Sequence, residues 1–114
     1  MDEADILALT YYNSCNIYRM VHVEDGPFDD FKRKEIYKDL KCAISFSQGS
    51  TQNVTDTVQP IEYTATLFAR PEIKTKTGDE VIANVEGREY KFIAGEEVPY
   101  SSHIEVPLMR KDRA

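Results

Sequence analysis

Residues 81–94 read VIANVEGREYKFIA, and this stretch decides the fold. Val81 to Val85 and Glu89 to Ala94 each alternate with period two, the spacing of a half-buried strand. Between them, Glu86-Gly87-Arg88 supplies a turn in which Gly87 can take the positive φ that a tight hairpin requires. Gly78-Asp79 marks a second turn just upstream. Toward the C-terminus, Ile104, Val106 and Leu108 alternate with His103, Glu105 and Pro107. Pro107 cannot donate to a ladder, so that strand end is expected at an edge or beside a bulge.

The same period runs toward the N-terminus. Across Ile61 to Ala69, Tyr63, Ala65 and Leu67 point one way and Thr64, Thr66 and Phe68 the other. Leu40, Cys42, Ile44 and Phe46 form another set, and Cys15, Ile17, Arg19, Val21 and Val23 a further one, opposite Tyr18, Met20 and His22. Helical spacing is nearly absent. The reading is a mainly β chain, a small antiparallel β-barrel or sandwich of about six strands with a long polar loop after the second strand.

Two stretches interrupt the alternation. Glu24 to Asp39 contains Asp25-Gly26-Pro27 and then a dense charge run, and is expected to be a solvated hairpin tip or one short helical turn. Ser47 to Pro60, SQGSTQNVTDTVQP, has no base and a single acid. A loop this long inside a compact domain is commonly functional or disordered. Its neutral amides and hydroxyls, Gln48, Ser50, Thr51, Gln52, Asn53, Thr55 and Gln59, suit hydrogen bonding with other copies of themselves or with another chain. Asn53-Val54-Thr55 matches a glycosylation acceptor, which carries little weight without a secretory signal.

A length of 114 residues with 41% apolar side chains supports one domain, residues 1–114, with an arm over 1–13, a barrel core over 14–108 and a tail over 109–114. No apolar run approaches the roughly 20 residues of a membrane span, and no basic stretch followed by an apolar core opens the chain, so a soluble intracellular protein without membrane contact is expected. Cys15 and Cys42 are then expected reduced and buried. The net charge of −6 resides entirely in the first thirty residues, where Asp2, Glu3, Asp5, Glu24, Asp25, Asp29 and Asp30 face the single base Arg19. This acidity disfavours tight binding to nucleic-acid phosphates.

Candidate chemistry is sparse. With His22 and His103 the only histidines and no Cys-x-x-Cys pair, a zinc site is not expected. His22 near Glu24 and Asp25 reads as a surface or interface histidine, and His103 likewise. The isolated glycines make no phosphate loop, and Asp29-Asp30 lacks the spacing of a calcium loop. Tyr90, Lys91 and Phe92 come closest to the aromatic-and-basic pattern of a nucleic-acid groove, but their alternation fits a core-facing strand better. No catalytic residue and no cofactor is expected.

In order and spacing, several of these motifs resemble one family. Cys15-Asn16-Ile17-Tyr18 opens the first strand and Cys42-Ala43-Ile44-Ser45-Phe46 closes the second. The polar insertion follows, then Leu67-Phe68-Ala69 with Pro71 and Ile73, Gly78-Asp79, and His103-Ile104-Glu105-Val106-Pro107-Leu108. The pattern is similar to the small head-closure, or head–tail connector, proteins of tailed bacteriophages and phage-derived elements of Gram-positive hosts, over residues 14–108.

The resemblance implies a non-enzymatic virion neck protein, made in the bacterial cytoplasm, whose barrel subunits form a six- or twelve-fold ring between portal or adaptor and tail proteins. It also implies that the loop after the second strand, Ser47 to Pro60 here, points at the channel and closes it, with DNA only as transiting cargo. A cyclic ring of this kind uses heterologous contacts. The acidic residues of the first thirty then either line the channel, repelling phosphates in transit, or face a basic partner. Related tail-terminator proteins share the size and architecture. The alternative from another class is a monomeric barrel that binds nucleic acid or a small ligand.

Overall fold

A computed structural model describes residues 2–25, 28–47 and 64–111. Its elements, in chain order, are α1 (Glu3–Ala8), β1 (Asn13–Asp25), β2 (Phe28–Phe46), β3 (Ala65–Ala69), β4 (Glu80–Val85), β5 (Arg88–Ala94), β6 (Val98–Pro99) and β7 (Ile104–Arg110). All pairings are antiparallel. The strands follow one another as β3-β2-β1-β4-β5-β7-β6, and a further β3–β7 pairing closes six of them into a ring. The chain is therefore a small antiparallel barrel, with the short β6 added beside β7.

Alternation fills the interior. Ile17, Leu67, Val81, Phe92, Ile104, Val106 and Leu108 are fully buried, with the smaller Ala65, Ala69, Ala83 and Ala94 between them. Each of these positions belongs to the inward set of its strand, so the period-two pattern carries directly into the core. Burying a Leu, Ile, Val or Phe side chain contributes about 1.5–3 kcal/mol. Cys15 and Cys42 are both buried, as expected, and are not bridged in the structure. Their thiols meet, and this hydrogen bond together with burial pushes the Cys15 thiol far above its ordinary range.

The β4–β5 turn is tighter than the sequence suggests. Val85 pairs with Arg88, leaving a two-residue loop in which both Glu86 (φ 51°) and Gly87 (φ 81°) are left-handed. Two positive φ values are the signature of a type I′ turn, whose twist matches that of the flanking strands. Arg88 therefore belongs to β5 rather than to the turn.

Two expectations need correction. Glu24 to Asp39 is not an irregular interruption, because both flanks of the tip are strand and β1 pairs with β2 as far as Asp25↔Phe28. The charge run hid this: in a ribbon exposed on both faces, charged side chains suit either side, so no apolar period survives. In the N-terminal arm, Asp2 caps α1 by accepting the Asp5 amide at 2.9 Å, and Ala4 and Tyr11 are buried. Burial raises the Tyr11 pKa, against the lowering effect of Arg70.

Pro107, finally, lies in no edge strand. It sits opposite Thr66 of β3 in the closing strand, and its carbonyl accepts from Gly95 in the connection between β5 and β6. The two polar groups of a strand residue point to the same side, so the missing N–H falls at that break in the ladder.

Glu86 occupies a left-handed position that costs an L side chain other than Asn or Asp about 1 kcal/mol. Glu86→Asn, which installs the Asn-Gly pair favoured in type I′ turns, is expected to raise stability by about 0.5–1 kcal/mol in chemical denaturation, at unchanged denaturant sensitivity.

Candidate functional site

The distinctive surface is the end of the β1–β2 hairpin that leaves the barrel. β1 pairs with β4 only over Ser14–Tyr18, and β2 with β3 only over Ala43–Phe46, so beyond those points each strand has only the other among the described residues. A bulged segment sets the departure. Between Asn13↔Cys42 and Tyr18↔Glu35, five steps of β1 oppose seven of β2, and Asp39 takes φ 50°. Its amide donates to the Asn16 Oδ1 at 2.7 Å, which replaces the lost ladder bond. Bulges bend and twist a strand pair, so the extra residues of β2 turn the ribbon away from the barrel wall.

A buried ion pair holds the base of the ribbon. The Arg19 Nε and Nη2 donate to the two Asp79 carboxylate oxygens at 2.8 and 2.9 Å, and the Lys76 amide donates to the same carboxylate at 2.9 Å. Asp79 is 1% exposed and Arg19 27%. The paired geometry raises the Arg19 pKa, mainly through the hydrogen bonds to Asp79. Arg33 of β2 lies over the Tyr18 ring, 3.8 Å from its centroid, and with Lys111 it binds Glu80 at the start of β4.

Tyr18, Arg19, Arg33, Glu80 and Lys111 line an open groove of about 430 Å³ on the outer face of the sheet, with Met20 and Ile93 as its apolar part and Lys91 as a further cation. Bonding to Lys111 and Arg33 holds the Glu80 carboxyl below its usual range, against the opposing effect of burial. Farther along the ribbon, Met20 and Phe31 are about three-fifths exposed, and His22 meets the Phe31 ring edge-on at 5.4 Å.

The acids of the first thirty residues do not form one wall. Asp2, Glu3 and Asp5 belong to the N-terminal helix and its cap, where Asp5 pairs with Arg70 at 3.0 Å. Glu24, Asp25, Asp29 and Asp30 sit at the ribbon tip, with Glu24 opposite Asp29 and Val23 opposite Asp30. Arg70 follows β3, which meets the far end of β2, so the two acidic groups lie toward opposite ends of β2. In the polar insertion, Gln48, Ser50, Thr51, Gln52, Asn53, Thr55 and Gln59 lie outside the described residues. The Ser47 amide donates to the Thr64 carbonyl at 3.0 Å, so the segment leaves and re-enters the barrel at adjacent points.

One further cluster escaped sequence reasoning, and another, around Tyr90, was read there as core. The Ser102 hydroxyl lies 2.9 Å from the His103 Nδ1, and the His103 Nε2 lies 2.9 Å from the Glu105 carboxylate. With Nε2 protonated toward Glu105, Nδ1 accepts from Ser102, the order of a proton relay. Ser102 is only 8% exposed, however, and His103 stacks on Tyr100 at 4.7 Å, so the trio braces the β6–β7 turn. Adjacency in sequence was the signal available for Ser102 and His103. Tyr90 is half-buried rather than a full core residue. It packs on Phe46 at 5.0 Å beneath the Arg110 guanidinium, while Phe92 fills the core and Lys91 is exposed.

Among the described residues, no three His, Cys, Asp or Glu side chains converge as metal ligands, and no helix is long and apolar enough to cross a membrane. Compared with family models, curated proteins and solved structures, the chain finds no match.

Removing the Asp79 carboxylate leaves Arg19 partnerless at the ribbon base. Asp79→Ala is expected to cost about 2–3 kcal/mol, below the usual loss for breaking a buried pair because Arg19 reaches solvent. Amide exchange should accelerate first in β1 beyond Tyr18. Glu80, with its folded pKa depressed, contributes stability that is complete above the unfolded carboxyl value and lost as pH falls through the folded one. Acid titration of Glu80→Gln should accordingly show a shallower stability loss below about pH 4.5 than the parent.

Proposed function

We propose that this chain is a structural neck protein of a tailed phage or prophage. It assembles as a six- or twelve-fold ring between portal or adaptor and tail, closes the DNA channel and offers the tail its docking surface. It catalyses nothing in this reading. One observation carries it: the barrel is filled by its own side chains, while the projecting β1–β2 ribbon leaves the large apolar side chains of Met20 and Phe31 about three-fifths exposed. An isolated two-stranded ribbon is marginally stable in water, so its length is best explained by contacts outside the subunit. The small closed antiparallel barrel agrees with the architecture that the resemblance implies.

The polar segment after β2 is the channel loop in this reading. Its ends are held side by side by the Ser47–Thr64 hydrogen bond, so a much shorter connection can span them. Deleting Gln48 to Gln59 is expected to preserve the cooperative unfolding of the barrel while filled heads lose DNA or fail to accept tails. Normal particle yield after that deletion would remove the loop from the mechanism.

A second reading has one observation in its favour. Phe46, Tyr90 and Arg88 line an open recess of about 560 Å³ with Arg110 over the Tyr90 ring, an aromatic-and-basic surface of the kind that stacks single-stranded nucleic acid. Salt-sensitive binding of single-stranded DNA by the purified monomer, lost in Tyr90→Ala, would favour this module over the ring component.

A further inference from the structure

The β1–β2 ribbon is electrically polarised along its length. At the tip, Glu24 faces Asp29 across the ladder and Asp30 lies opposite Val23, with no base among the paired positions beyond His22↔Phe31. At the base, Arg19 faces Lys34, Met20 faces Arg33 and Val21 faces Lys32. Like charges directly opposite one another destabilise a strand pair, and at the base that repulsion is relieved by Asp79 and Glu80.

Beside the base lies the groove formed by Tyr18, Met20, Arg33, Lys91, Ile93 and Lys111. Four cations, including Arg19, surround it against the two carboxylates Asp79 and Glu80, which leaves positive charge in excess. The groove also offers apolar surface, from the largely exposed Met20 and from Ile93. An occupant matching both features carries carboxylates next to an exposed hydrophobic side chain. The ribbon tip carries that combination, with the exposed Glu24 on the same face as the exposed Phe31 and the exposed Asp30 next to Phe31 along β2 on the other face.

The contact cannot be made within one chain. From Tyr18↔Glu35 to Asp25↔Phe28 the ladder is regular, so roughly 13 Å of extended strand carries Glu24 away from Met20 and the groove. We propose that the acidic ribbon tip of one copy seats in the cationic groove at the ribbon base of the next, a heterologous contact between identical chains. Each subunit then presents both halves of the contact at different places, the condition for closing a ring. The protein's net negative charge, which weakens attraction to free polyanions at long range, leaves a locally acidic segment of the same chain as the favoured occupant.

This inference rests on the ring reading, and zero-length carbodiimide coupling of carboxylates to amines tests it separately from particle assembly. Heavy- and light-labelled protein is mixed at about 1 mM, a concentration that populates weak contacts. Expected are cross-label links between peptides carrying Glu24 or Asp30 and peptides carrying Lys91 or Lys111, suppressed by high salt. Glu24→Lys/Asp30→Lys alone and Lys91→Glu alone should each lose most of the links, and mixing these two variants should restore coupling between reversed partners. Circular dichroism confirms that each variant is folded.

Absence of such links, or equal yield in the variants or in high salt, overturns the contact. So does groove binding of a phosphate polymer that Lys91→Glu abolishes while no tip-to-groove link forms. Links accompanied by sedimentation as a two-fold dimer alone would keep the contact and remove the ring.

Discussion

β7 is shared between two neighbours, and the rest of the barrel depends on that sharing. Along its first half it pairs with β3, and at its end with β5, so the strand that ends the described chain joins one that follows the polar insertion to one from the β4–β5 hairpin. Closure removes the open edges that a six-strand sheet would otherwise expose. It also brings Ile104, Val106 and Leu108 against Leu67, Phe92 and Ile17, so the core exists only once the ring is closed. Pro107 is accommodated in this strand because its missing donor faces the connection between β5 and β6, where the regular ladder has ended and the Gly95 amide bonds the Pro107 carbonyl.

A second constraint acts where β1 and β2 leave the ring. The extra residues of β2, the left-handed Asp39 and the Asn16 side chain that bonds its amide redirect the pair, and the Arg19–Asp79 ion pair fixes it against the start of β4. Burying Asp79 is affordable only because three donors satisfy its carboxylate. Bulge and ion pair together turn an ordinary hairpin into a projecting arm whose charge changes sign from base to tip.

That polarity revises how the net charge of −6 is understood. By position along the chain it is an acidic first thirty residues, which suggests a single repelling surface. In space it is two groups, one on the N-terminal helix and one at the ribbon tip, and the second lies on the same ribbon as a basic base. Complementarity between copies accounts for this arrangement more directly than a uniform channel wall does, because a wall would need the acids on one face.

The sequence by itself determined the fold class, the inward residues of β3, β4, β5 and β7, the Gly87 hairpin and the buried thiols. Each depends on a local period or on one residue's backbone freedom, and both are written in the order of the side chains. Tertiary structure alone decided the ring closure, the length of the ribbon and the groove. The β2 half of the ribbon was illegible because its run of charged side chains has no apolar period, so Asp29 to Glu35 read as a solvated hairpin tip or short helical turn. The groove was illegible because Arg19, Arg33, Glu80, Lys91 and Lys111 come from four strands and the segment just past β7, and only the β5-β4-β1-β2 order and the β5–β7 pairing bring them to one place. Strand order is set by which apolar faces bury one another most completely, a property of the whole chain that no single segment carries.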